Sequence, residues 1–312
     1  MLAPMQGLTN RALRALFIDM VRPDVVFTEF MRVRHGGGKI LSASDMAEIA
    51  ADEAGVPLVV QLVGHGRDNL VAAALEAQRA GAVHINLNMG CPYGRMTAGL
   101  TGGGMLRRPE ELEDLLPALR SAVDGTFSVK VRAGYEDPRQ VLGLLPLFES
   151  AGVDFLVLHP RTVLQEYEGL ADHSVTAEVV RSTRLPVVAN GDVRRGDQGV
   201  RLLRETGAAG LMLGRGGIAD PFLFSRVRTG DPEPAPAERV RMLGSYLRAL
   251  LPRYGSLFCG DHQVLGKLKG VLSTLRDAEL ERVVRKLQRA KNLAAFRSVL
   301  EEVCREAQAV LP

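Results

Sequence analysis

Residues 141–161, VLGLLPLFESAGVDFLVLHPR, hold one complete structural unit. Residues 141–150 have helical period. Gly152-Val153-Asp154 follows, and glycine there supplies the left-handed turn that ends a helix. Residues 155–158 are then a continuous apolar run, as in a strand buried on both faces of a parallel sheet. His159 and Arg161 interrupt the apolar run at its C-terminal end.

The same unit recurs on both sides. Gly81-Ala82-Val83 and Gly207-Ala208-Ala209 also lead from a helical segment into a strand. Apolar, β-rich runs lie at 2–5, 25–28, 58–63, 83–87, 127–131, 155–158, 187–189 and 211–213, with helical pattern at 69–80, 109–123 and 141–150 between them. Pro109 with Glu110 and Glu111 is a typical helix start. The second connection, through the glycines at 36–38, is looser. Eight strands alternating with helices predict an α/β fold, a (β/α)8 (TIM) barrel, over residues 1–228. A doubly wound sheet would want a glycine fingerprint after the first strand, and Gln6-Gly7-Leu8-Thr9 is not one. A Pro-rich linker is expected at 229–237, with prolines at 232, 234 and 236. A small all-helical domain is expected at 238–312.

Composition is that of a globular protein, 46% hydrophobic and 24% charged. No stretch approaches the roughly 20 apolar residues of a membrane span, and the first residues lack the basic and apolar regions of a secretory leader. Cys91, Cys259 and Cys304 are too scattered for a disulfide framework or a zinc site. A cytoplasmic monomer without metal is expected. Net charge is +3, but residues 238–312 carry 14 Lys and Arg against 8 Asp and Glu, and the rest of the chain is slightly acidic. Arg282, Arg285, Lys286 and Arg289 fall at i, i+3, i+4 and i+7, one basic helix face suited to nucleic acid.

In such a barrel the chemistry sits at the C-terminal ends of the strands. The seventh run ends in Asn190-Gly191-Asp192 and the eighth in Gly214-Arg215-Gly216-Gly217, the usual place for a phosphate. Lys130 and Arg132 end the fifth run on one side of the strand, and Gln61 lies near the end of the third. Cations inside a barrel are costly without an anionic or electron-rich ligand. Cys91 follows the fourth run in Asn88-Met89-Gly90-Cys91-Pro92, where its thiol, protonated at neutral pH, serves as a general acid or, beside a base, as a nucleophile. Cys259 and Cys304 are read as small buried hydrophobes.

Together these stretches resemble the tRNA-dihydrouridine synthases over roughly 2–228. The resemblance rests on Ala3-Pro4-Met5, Thr28-Glu29-Phe30, the Cys91 loop, Val129-Lys130-Val131-Arg132, His159 with Arg161-Thr162, Tyr167-Glu168-Gly169, Asn190-Gly191-Asp192 and Gly214-Arg215-Gly216. It implies FMN, recharged by NADPH, at the barrel mouth. Pro4, Met5, Gln6, Gln61, Lys130 and His159 would surround the flavin ring. Asn190, Gly191, Asp192, Gly214 and Arg215 would hold its phosphate. Asn88, Arg161 and Tyr167 would face the uracil, with Cys91 as proton donor. The basic tail would hold tRNA. Asn86 and Pro160 depart from the family's usual Asp and Gly, and Arg95 stands near its usual loop Lys. Thr28-Glu29-Phe30-Met31-Arg32-Val33 is closest to the bacterial C-type members, which act on uridine sixteen of the D-loop. Two other readings fit parts of the chain: a flavin barrel that reduces a small free substrate, of the dihydroorotate or ene reductase type, and a non-catalytic RNA-binding barrel. The basic tail argues against the first, and Cys91 with Lys130 against the second.

Overall fold

The computed structural model of the chain describes residues 1–34, 40–97 and 99–309, the side chains of Arg95, Met96, Gln308 and Ala309 excepted. The glycines at 36–38 and the side chain of Arg95 lie outside them. Eight parallel strands form one curled sheet: β1 (Val26–Phe27), β2 (Met31–Arg32), β3 (Leu58–Val63), β4 (His84–Met89), β5 (Thr126–Gly134), β6 (Phe155–Thr162), β7 (Val187–Asn190) and β8 (Gly210–Met212). Neighbours run β1-β3-β4-β5-β6-β7-β8, and β2 pairs with β3 further along.

The N-terminus closes the barrel. Leu2 bridges in parallel to both Val26 and Leu213. Leu2 N donates to Val25 O at 2.9 Å, and Ala3 N donates to Leu213 O at 3.0 Å. The strand expected at 2–5 shrinks to this single rung, because Pro4 has no N–H with which to extend a ladder. β2 was not legible in the sequence; it is two residues long, and only Met31 of the two is buried. The expected helices form at Arg67–Arg79, Leu112–Ala122 and Gln140–Ser150, the second entered through a 3-10 turn at Pro109–Glu111. Gly81, Gly152 and Gly207 all take positive φ, as helix-ending glycines should.

Beyond the barrel come helices Pro236–Leu257, Gly260–Leu272, Glu281–Gln288 and Leu293–Ala309. Pro236 sits in the first turn, where its missing N–H costs nothing. The helices share one core with the barrel's first helix, Arg11–Val21. The Phe17 ring packs edge-on against Phe224 at 5.9 Å and Tyr246 at 6.0 Å. The preceding segment is tied down through Glu233, which accepts from Gly196 N at 3.0 Å. Cys304 is buried as expected, but Cys259 is exposed. It takes the N-cap position of Gly260–Leu272, a surface site that propensity alone does not reveal.

Arg14 is the least expected core residue. Its side chain is fully buried and meets Glu53 at 2.6 Å, Glu48 at 2.8 Å and Thr9 O at 3.0 Å. A buried cation persists only with such partners. The cluster fixes helix Arg11–Val21 to the turn at Met5–Thr9, which enters the barrel mouth.

Candidate active site

A cleft of about 330 Å³ opens at the C-terminal ends of the strands, within the range of cofactor sites. It brings together Pro4, Met5, Gln6, Asn88, Cys91, Lys130, His159, Tyr167, Asn190, Gly191, Asp192, Gly214 and Arg215. A larger cavity, about 450 Å³, separates the barrel from the tail helices. Much of its charge is already matched, Arg239 with Asp277 and Arg226 with Asp220, and it lacks a nucleophile or an acid–base thiol. The smaller cleft is therefore the candidate active site.

One end of the cleft is built on a buried amide chain. Register places Gln61 beside Asn86, and Asn86 beside Ser128. Asn88 Nδ2 donates to Gln61 Oε1, Gln61 Nε2 to Asn86 Oδ1 and Asn86 Nδ2 to Ser128 Oγ, each at 2.8 Å. Asn88 Oδ1 accepts from Gly90 N and Cys91 N, both at 3.0 Å, and so fixes the loop that presents the thiol. Gln61 is wholly buried in this chain and does not line the cleft. It supports the Cys91 loop through Asn88. Burial pushes the Cys91 thiol above its ordinary range, against weaker pulls from Tyr93 N–H, Arg132 and Lys130. The thiol therefore holds its proton at neutral pH, as an acid must.

Lys130 faces the same space. Burial, then the charge of Arg132, lowers its ammonium to about 8. Such a lowered value means that the fold bears a cost for the charged form. The unfolded chain binds the proton more tightly, so the cost is complete below pH 8 and fades as pH climbs toward 10.5. Lys130→Met should accordingly stabilise the ligand-free protein by about 1–3 kcal/mol at pH 7 and by little at pH 11. Urea unfolding at the two pH values measures this; equal effects at both would mean that the ammonium is not under strain. His159, 7% exposed, is held well below the usual imidazole range by burial and then by Lys130, so it is neutral. Its Nδ1 is buried without a partner.

The far end is made by the loops after β7 and β8. Asn190 Nδ2 donates to Met212 O at 2.8 Å and locks the two strands together. Gly191 has φ +129°, and a Cβ at Gly216 would come within 2.1 Å of Val193 O, so neither position accepts a side chain. Helix Arg215–Ala219 starts at Gly214 with no side-chain cap, which leaves N–H groups for an anion. Arg161, expected at the substrate, is 2% exposed and stands behind this wall. Its guanidinium donates to Asp192 at 2.6 Å, Gly169 O at 2.6 Å and Glu168 O at 3.1 Å. It braces Asp192, which holds φ +54°, and does not line the cleft.

Arg132, Phe30, Tyr93 and Arg194 also line the cleft. Arg132 was legible from its spacing to Lys130. Phe30 belongs to the Thr28-Glu29-Phe30 stretch and Tyr93 follows the Cys91 loop, but nothing in their spacing marks either as a cleft residue. On the tail, Arg285 pairs with Glu281, and Lys286 meets Glu302 at 3.1 Å and Glu306 at 3.5 Å. Arg282 and Arg289 are exposed. The basic face is thus partly neutralised by acidic neighbours, which the heptad count along one helix did not show.

No described helix is long and apolar enough to cross a membrane, and no described cluster of His, Cys, Asp and Glu suits a metal. Among solved structures, the fold resembles a variant of NCR from Zymomonas mobilis, with TM-score 0.54 and 16% identity over 75% of this chain and 87% of that one. A "Probable tRNA-dihydrouridine synthase" of Rhodobacter capsulatus is 33% identical over 265 residues, 82% of this chain and 80% of that protein. A "tRNA-dihydrouridine(16) synthase" of Cupriavidus necator is 32% identical over 306 residues, 92% of both chains. The "tRNA-dihydrouridine synthase B" of Yersinia pestis is 30% identical over 271 residues, 81% of this chain and 80% of that protein. The family pattern described as "Dihydrouridine synthase (Dus)" matches residues 1–308. That match along nearly the whole chain, together with relatives at 30–33% identity, makes this oxidoreductase a member of the dihydrouridine synthase family.

Proposed function

We propose that this enzyme reduces the C5=C6 bond of a D-loop uridine in tRNA to 5,6-dihydrouridine, with FMN in the cleft and NADPH as electron source. The observation that carries the reading is the pairing of a buried, protonated thiol with an uncompensated lysine in one cleft that ends in an uncapped glycine turn.

The residues present fit a flavin. The unpartnered Nδ1 of His159 and the lysine without a matching anion await a polar ring, and the Gly214-Arg215 turn suits a phosphate. Bound FMN would supply the hydride for uracil C6. Lys130 would stabilise negative charge in the cleft. Pro4, Met5 and Gln6, which line the cleft, would flank the flavin ring. Cys91 would deliver the proton to C5, and Asn88 holds its loop in place. Asn190, Gly191, Gly214 and Arg215 would bind the phosphate, together with the backbone N–H of Asp192, whose carboxylate Arg161 engages. Target uridine sixteen is favoured by the Cupriavidus relative, whose likeness extends through the tail.

The test is anaerobic. The purified protein should carry flavin that NADPH bleaches and that tRNA lacking dihydrouridine restores, with dihydrouridine then found in the tRNA nucleosides by mass spectrometry. Recovery driven by free uracil or uridine instead of tRNA would favour the small-substrate reading. For the tail, Arg282→Glu with Arg289→Glu should weaken tRNA binding and flatten its log–log salt dependence by up to about 2, roughly 0.9 per lost phosphate contact. Binding that is unchanged at every salt concentration would leave those arginines as solvated surface.

A further inference from the structure

The barrel mouth has an apolar rim that the chemistry above does not use. Seven large hydrophobic side chains are conspicuously exposed among the described residues, and four of them, Tyr93, Leu164, Tyr167 and Leu170, lie on the loops after β4 and β6. The other three are scattered over the barrel's flank. Tyr93 is two residues from Cys91 and 56% exposed. Its ring lies 6.5 Å from that of Tyr167, tilted by 49°. Tyr167 is held by cations: the Arg215 guanidinium lies 4.8 Å and the Arg132 guanidinium 5.3 Å from its centroid. Among the described residues Tyr167 is the ring recorded beside Tyr93.

The backbone on both sides of Tyr93 is held by a proline and by hydrogen bonds. Pro92 fixes the backbone between Tyr93 and Cys91. Gly103 N donates to Cys91 O at 3.0 Å, and Thr97 N donates to Tyr93 O at 3.1 Å, opening the short helix Gly94–Thr97. A ring displayed on a fixed loop loses little freedom when something flat lands on it. An exposed ring at the entrance of a site that a base must enter from a folded strand has the chemistry of a single-strand stacking platform.

We propose that Tyr93, backed by Tyr167, stacks on a nucleobase of the tRNA next to the uridine that enters the cleft. Tyr93 is then a positioning residue: it fills the gap that the departing uridine leaves and selects for tRNA over free uridine. This rests on the tRNA reading above.

The test uses the whole enzyme with bound flavin. Tyr93→Ala should raise KM for tRNA on the order of tenfold or more, with NADPH-driven bleaching unchanged. Tyr93→Phe should retain near wild-type KM, because it keeps the ring. A tRNA with an abasic nucleotide on either side of the target should, at one of those positions, lose affinity for the wild type but little for Tyr93→Ala. Equal losses in Tyr93→Phe and Tyr93→Ala would assign the effect to the hydroxyl and overturn stacking. An unchanged KM in Tyr93→Ala, or a fall in kcat alone, would overturn it too. Wild-type enzyme that forms no dihydrouridine in tRNA would instead sink the underlying reading, so the two failures are distinguishable.

Discussion

Cys91→Ala is expected to leave NADPH-driven bleaching of bound flavin near the wild-type rate and to slow tRNA-driven recovery by about 10²–10⁴-fold, the usual contribution of a general acid. The expectation follows from where the thiol is and how it is held. It lines the same cleft as Lys130 on a loop fixed by Asn88, and burial keeps it protonated. Alanine removes the proton and little else, because the apolar cluster around Cys91 is small, Val63 with Phe30 beside it. Rapid mixing separates the two half-reactions. A structural cysteine would show the opposite pattern, with lower flavin content or stability and intact turnover per bound flavin. Undiminished recovery in Cys91→Ala would move the acid elsewhere, and Tyr93 in the same loop, whose phenol is pushed up by neighbouring Tyr167 and by burial, would be the next group to test.

The second large effect is on stability. Arg14→Met keeps most of the side-chain volume and removes the charge, so it leaves Glu53, 4% exposed at its side chain, without its cation. Breaking one side of a buried ion pair costs about 3–5 kcal/mol. Burial already pushes the Glu53 carboxyl up, with Arg14 opposing that shift. Without Arg14 the carboxyl should rise further. A raised folded value favours the fold only while the group is protonated. The deficit of Arg14→Met should therefore shrink as pH falls toward the ordinary carboxyl value near 4.3, and be largest above the raised one. Adding Glu53→Gln should recover part of the loss at neutral pH. Urea unfolding followed by far-ultraviolet circular dichroism measures all three; a loss under 1 kcal/mol in the single variant would show that the cluster is not what anchors the first helix. The same variant should loosen the Met5–Thr9 turn, since Arg14 donates to Thr9 O, and with it the end of the cleft that Met5 and Gln6 line.

The fold was legible because its signals are local. A run such as 155–158 cannot shield its apolar side chains on one face alone, and Gly152 ends the helix before it by its own φ preference. Cys91, Lys130, Asn190 and Gly214 could be picked out because polar residues and glycines that break buried strands at one end have few other reasons to be there. The Leu2–Met5 strand was over-read because Pro4 stops a ladder, and Cys259 was placed inside because hydrophobic character does not say which side of a helix end faces water.

By itself, the sequence determined the order of strands and helices, the parallel barrel and the end of the barrel where chemistry gathers, since each follows from the period and punctuation of a short segment. Tertiary structure alone decided which side chains share the cleft. Gln61 and Arg161 sit at positions that spacing marks as functional, yet a neighbouring strand and a loop claim their polar groups, so that they brace Asn88 and Asp192 from behind. Arg14 reads as an ordinary helix-surface residue until Glu48 and Glu53, more than thirty residues away, fold over it. Lys286 reads as part of a free basic face until Glu302 and Glu306 of the last helix pack beside it, whereas the partner of Arg285, Glu281, stands one turn back on the same helix. Whether a charge is available to a ligand or spent within the protein depends on partners distant in sequence, and only the folded chain brings those partners within a few ångströms.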